Sequence, residues 1–243
     1  MTAPQDNVTP AATPDAESLA ASASKAAKKG GLPPVHLWNP PFCGDLDIRI
    51  ARDGTWFYLG TPIGRKPLVR LFSSILRRDG NSYFLVTPVE KVGIRVDDAP
   101  FVAVDVAAEG AGEAQALTFT TQVDDVVTAG PGHPIRVAFD PETGEPAPYV
   151  HVRAGLEALI DRKSFYRLVE LGVEEERDGV AQFGVWSGGA FFAFAPAAAL
   201  LVLYTHRANL QRLRDGNENR FERVRLLARL RRRRVSDSPR PED

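Results

Sequence analysis

The chain carries one cysteine and one methionine in 243 residues. A lone Cys43 excludes an internal disulfide framework, so packing and hydrogen bonds must hold the fold. It suits a reducing compartment, and a cytoplasmic location is the expectation. Long apolar runs are missing too. The most apolar stretch, Gly188–Tyr204, is 17 residues with Pro196 inside it, so no transmembrane segment is expected. Met1–Ala27 has neither a continuous apolar core nor an early basic cluster, so no secretory signal is expected. Histidine is scarce, at four residues. With one cysteine in the whole chain, a zinc centre of the usual soft ligands is disfavoured. No Gly-x-Ser-x-Gly elbow occurs; GVWSGG at Gly184–Gly189 holds Ser187 at the wrong spacing. GTPIGRK at Gly60–Lys66 lacks the glycines and the Lys-Ser or Lys-Thr pair of a Walker loop. The sequence requires no cofactor.

What is present can fill a core. Hydrophobic residues are 44% of the chain and charged residues 25%, ordinary for a soluble protein of one large or two small domains. The net charge of -1 hides an asymmetry. Positions 36–204 carry 15 Lys and Arg against 22 Asp and Glu, a balance of -7, whereas 205–234 carry 11 Arg against three acids, a balance of +8. An acidic body is followed by a basic tail.

Residues 1–31 are rich in Ala, Ser, Thr and Pro and are expected to be disordered, with a transient helix over Ala16–Lys29. Leu46, Ile48 and Ile50 alternate with Asp47, Arg49 and Ala51, which predicts a strand. Asp53-Gly54 is a turn signal and Trp56–Leu59 a returning strand, so a hairpin is expected. Thr61 as cap and Pro62 at the first position predict a helix over 62–78, with Leu68, Leu71, Phe72, Ile75 and Leu76 on its apolar face. Arg77 and Arg78 then fall at its C-terminal end, where cations suit the dipole. From about 81 to 150 short strands alternate with Gly/Pro turns, predicting a largely antiparallel sheet or barrel. Leu156, Leu159 and Ile160 suggest one helical piece and Phe165–Leu171 a second. Ala190–Leu203 reads equally as strand or buried helix. Arg207–Arg234 is predicted helical. Strands followed by helix argue α+β rather than a doubly wound sheet.

Three blocks carry a family likeness: CGDLDIRIARDGTWFYLGTPIGRKPLVRLFSSILRRDG at Cys43–Gly80, YFLVTPVEKVGIRVDDAPFVAV at Tyr83–Val104, and HPIRVAFD with PYVHVRAGLEALIDRKSFYRLVELG at His133–Asp140 and Pro148–Gly172. Together they resemble the bacterial family known as domain of unknown function 1285 (DUF1285). The likeness spans about 36–172. It implies two small domains, a compact α+β unit and a partly closed, helix-capped β-barrel similar to pleckstrin-homology-like folds. It implies no established enzymatic activity; a signalling or binding role follows from fold analogy alone. The domains are accordingly placed at 32–80 and 81–196, after a disordered 1–31 and before a divergent Arg-rich extension at 197–243. The extension lies outside the likeness.

Candidate site residues follow from local chemistry. Arg65, Lys66 and Arg70 sit at a predicted helix start, where free N–H groups can hold an anion; a capped helix with a solvated basic face is the plainer account. Tyr149, His151 and Arg153 share a strand face if extended, a polar stripe that would line a cleft between the domains; ordinary structural hydrogen bonds are the alternative. Asp45 and Asp47 would support a hard cation from one strand face, against the simpler reading of a solvated edge. A Cys43 nucleophile would need His36, His133, His151 or His206 beside it, and no spacing selects one. Asp97-Asp98 before Pro100 reads as a turn. In the tail, Arg229, Arg231, Arg232, Arg233 and Arg234 would attract nucleic acid or anionic lipid weakly and without sequence preference. The function expected is therefore non-catalytic binding of a small molecule or protein in the domain cleft. A cation-dependent or acid–base enzyme is the first alternative and a tail-dependent adaptor the second. Exposed sheet edges would also permit a homodimer.

Overall fold

A computed structural model describes residues 15–27 and 31–196. Helix α1 (Ala16–Ala26) precedes strands β1 (Phe42–Ile50), β2 (Trp56–Tyr58) and β3 (Thr61–Pro62), helix α2 (Lys66–Ser74), and strands β4 (Leu76–Asp79), β5 (Ser82–Val86) and β6 (Lys91–Val96). Strands β7 (Phe101–Glu109), β8 (Ala116–Thr121), β9 (Val126–Thr128), β10 (Ile135–Phe139), β11 (Pro146–Arg153) and β12 (Leu156–Ile160) follow. Helix α3 (Arg162–Glu170) and strands β13 (Val173–Arg177), β14 (Val180–Ser187) and β15 (Ala190–Pro196) complete the described residues, which are mostly β with some helix, an α+β fold.

The first six-stranded sheet runs β3-β2-β1-β6-β5-β4 and the second β9-β8-β7-β12-β11-β10. The two orders are the same. Each sheet is two three-stranded meanders joined where the first and last strands lie parallel, β1 on β6 and β7 on β12. Every other join in these sheets is antiparallel. Their closing contacts match as well. Asp97 N–H donates to Ile50 O at 3.0 Å just past β6, and Asp161 N–H to Ala103 O at 3.0 Å just past β12.

Alternation decides which face is buried. In β1 the side chains of Leu46, Ile48 and Ile50 point inward, and with Trp56, Phe72, Ile75, Leu76 and Leu85 they form the first core. Phe101, Leu117, Phe119, Val150, Leu156, Ala158 and Ile160 form the second, closed by Phe165 and Leu168 of α3. The three-stranded sheet β13-β14-β15 is tied to the second sheet by Ser187. This buried hydroxyl donates to Ala129 O at 2.8 Å and accepts from Leu117 N–H at 2.9 Å.

Four sequence expectations are corrected. Strands 82–86 and 91–96 belong to the first sheet, so that sheet extends past residue 80. Their register with β4 and β1 is what gives Leu76, Leu85 and Val92 a shared face. Helix α2 begins at Lys66, because Thr61–Pro62 pairs with Phe57–Tyr58 at the sheet edge, where proline's missing N–H costs nothing. It ends at Ser74, since Leu76–Asp79 is drawn into pairing with β5; Arg77 and Arg78 are strand residues. Leu156–Ile160 is a strand with period two, its five-residue apolar run having been too short to separate strand from helix. Residues 16–26 form a helix packed on α2, capped by the Asp15 carboxylate on the N–H groups of Glu17 and Ser18, and buried through Leu19 and Ala23. Within the apolar run left open, 190–196 is strand. The expected helix at 207–234 lies outside the described residues.

Candidate functional site

The two six-stranded sheets meet along a polar seam. On one flank, Asp98 follows β6 and holds two partners. Its Oδ1 accepts from the Tyr149 hydroxyl at 2.7 Å, and its Oδ2 is ion-paired with the Arg52 Nε at 3.1 Å. Tyr149 and Arg136 lie directly opposite in the β10–β11 pair, which puts the Arg136 guanidinium 4.1 Å from the Tyr149 ring centre. Arg136 also reaches across β11 to Glu157, donating Nε and Nη2 to its two oxygens at 2.6 Å each. Tyr83 of β5 faces this group from the first sheet, within the fields of Arg78, Glu157, Asp98 and Arg136. Arg78 stacks on Tyr83 at 5.7 Å and donates to Gly155 O at 3.2 Å, fastening the first sheet to the second. Arg52 is 65% exposed and Arg136 51%, so these two heads reach solvent over a floor of Asp98 and Glu157, which are 21% and 22% exposed.

Burial, and then the bond to Asp98, push the Tyr149 hydroxyl up to about 12. Burial also raises Tyr83. A raised tyrosine favours the folded state fully below its ordinary value of 10.0, and that contribution is lost as pH rises toward about 12. Alkaline titration of tyrosinate absorbance is therefore expected to show late ionisation whose amplitude Tyr149→Phe reduces. Ionisation of every tyrosine together near 10 would contradict the Asp98 bond.

The other flank is built on Arg153. A register shift between His151 and Arg153 pairs Arg153 with Leu156, whose side chain lies on the core face with Ala158 and Ile160. The shift turns Arg153 away from Tyr149 and His151, so the single polar stripe expected from i, i+2 spacing does not form. Arg153 instead pairs with Asp125, donates to Ser73 O at the end of α2 at 2.9 Å, and lies 4.8 Å from the Phe101 ring centre. His151 is held by the backbone: Gly155 N–H donates to its Nε2 at 3.1 Å, so its Nδ1 carries the proton shared with Gly132 O at 3.2 Å.

The remaining candidates are scattered. Arg65 and Lys66 are exposed at the start of α2, and Arg70 pairs with Asp124 at 3.0 Å on the Arg153 flank. Asp45 and Asp47 do share the outer face of β1, with the Asp45 carboxylate above Gly93, but among the described residues no group of three His, Cys, Asp or Glu could hold a metal ion. Arg229 and Arg231–Arg234 lie outside the described residues. No helix among the described residues is long and apolar enough to cross a membrane. Sequence reading did not single out Arg52, Arg78, Tyr83, Arg136 and Glu157, and read Asp98 as a turn residue. The Arg136–Tyr149 pair was within reach, because the turn at 140–145 fixes the β10–β11 register; the rest meet only when two sheets are brought together.

The chain matches two adjoining family descriptions. "Domain of unknown function (DUF1285), N-terminal domain" covers residues 33–99, and "Protein of unknown function (DUF1285), C-terminal domain" covers 100–194. Their shared boundary falls between β6 and β7, at the seam. Among solved structures, a DUF1285 family protein from Silicibacter pomeroyi DSS-3 is similar, with 67% identity and a TM-score of 0.68 over 75% of this chain and 97% of that one. A DUF1285 family protein from Shewanella baltica OS155 is 28% identical, with a TM-score of 0.42 over 51% of this chain and 91% of that one. A search of curated proteins found no match.

Proposed function

The chain belongs to the DUF1285 family, and from that premise we propose that it is a non-catalytic binding protein whose anionic ligand sits on the Arg52–Arg78–Arg136 flank of the seam. The observation that carries this reading is the gathering of three arginines, Arg52, Arg78 and Arg136, on this flank of the seam. Both oxygens of Glu157 accept from Arg136, while Asp98 accepts from the Tyr149 hydroxyl and is ion-paired with Arg52. Two of the three arginine heads reach solvent. A carboxylate or phosphate from a small molecule or peptide would stack over the Tyr83–Tyr149 side and take the N–H edges that Glu157 and Asp98 leave unused. The likeness to pleckstrin-homology-like folds supports binding by analogy only. The single Cys43 supports a reducing, cytoplasmic setting.

Calorimetric titration with citrate, inorganic phosphate and a short polyglutamate peptide tests the reading. At least one should bind the full chain, and Arg136→Ala should weaken it about tenfold or more, near 1.4 kcal/mol. Lys66→Ala, away from the seam, should leave it unchanged. Absence of binding by all three, or equal binding by Arg136→Ala, would sink the proposal.

A further inference from the structure

We propose that α1 is a releasable cover on α2: it leaves by local opening while both six-stranded sheets stay folded. Helix α1 lies outside the stretch, 33–194, that matches the family descriptions. Its attachment is slight. Of its eleven residues only Leu19 and Ala23 are buried. A helix of that length is below the roughly 12–15 residues at which isolated helices become even marginal in water. Once undocked, α1 keeps only its Asp15 cap, too little to hold so short a helix, so release and unfolding of this segment are one event.

A polar contact at its edge grades the docking. Glu90, in the turn between β5 and β6, faces α1, where the groups acting on it are Asp15 and the Ser22 hydroxyl. Burial first, and then Asp15, hold the Glu90 carboxyl above its ordinary range, while the Ser22 bond works the other way. Docking excludes water from Glu90 and sets it against a second carboxylate. The sign follows. Docking is strongest below the ordinary carboxylate range and weakens as pH rises through the raised value. Release bares the part of α2 on which α1 packs, next to the exposed Arg65 and Lys66 that begin that helix.

Amide hydrogen exchange on the full chain, expressed as protection over intrinsic rates, reads this directly. At about pH 8 the α1 amides should be protected, yet on the order of 100-fold less than those of Phe72 and Ile75. At about pH 5 the difference should narrow. Glu90→Gln should raise α1 protection at the higher pH and flatten its pH dependence. Leu19→Asp should abolish α1 protection and leave β1 and β7 unchanged, which separates release from unfolding of the fold. Equal protection of α1 and α2 at both pH values would overturn the proposal, as would no α1 protection in the parent chain. Loss of β1 and β7 protection in Leu19→Asp would overturn it too, and an inert Glu90→Gln would remove the pH grading.

Discussion

Gly184→Ala is expected to cost about 3 kcal/mol or more and to detach the small third sheet. At Gly184 the β14–β15 ladder slips by a residue: Phe183 pairs with Ala195 but Gly184 with Ala193. The slip brings the two backbones together. A Cβ on Gly184 would overlap the Phe192 carbonyl oxygen and stand 2.8 Å from Ala193 Cα. Both neighbours are main chain, so no rotamer change relieves the clash. The strands would have to part, and with them the buried Phe183, Val185, Phe192 and Phe194. Chemical denaturation measures this as a fall in midpoint. Gly64→Ala is the control, since nothing lies within 4 Å of its added Cβ; it should change stability by less than about 0.5 kcal/mol. A Gly184→Ala protein as stable as that control would refute the argument.

Arg153→Met should be the second largest loss, about 2–4 kcal/mol. It strands the Asp125 carboxylate and the Ser73 carbonyl, and removes the cation from the Phe101 ring. Side-chain exposures of 20% and 23% for Arg153 and Asp125 let water screen part of the deficit, which favours the lower half of that range. The double substitution Arg153→Met with Asp125→Asn should recover part of the loss, because most of the cost is the abandoned charge rather than the missing bond. Denaturation of the two variants beside the parent chain decides it. If the single and double variants are equally unstable, packing against Phe101 rather than charge governs this flank.

The two losses differ in how legible they were. Gly184 gave no sign in sequence, where it read as part of a flexible glycine-punctuated stretch. Its constraint comes from a bulge, and a bulge is set by the pairing partner. Arg153 was singled out beforehand, but with the wrong companions. Simple alternation placed it beside Tyr149 and His151, and one register shift sent it through to the core face.

By itself, the sequence determined the strands with clear alternation, the turn at Asp53-Gly54, the α3 helix and the family. Each of these depends on neighbours a few residues apart, so a short window holds the whole cause. It also placed a helix near 66–74, though not its ends. Only the tertiary structure decided that 82–96 joins the first sheet, that the two sheets repeat one strand order, and that α1 docks. It alone gathered Arg52, Arg78, Tyr83, Asp98, Arg136, Tyr149 and Glu157 on one flank. Those residues come from several strands and loops of two sheets. Their meeting is a consequence of parallel closure, β1 to β6 and β7 to β12, which joins segments tens of residues apart and leaves no periodic mark in the chain.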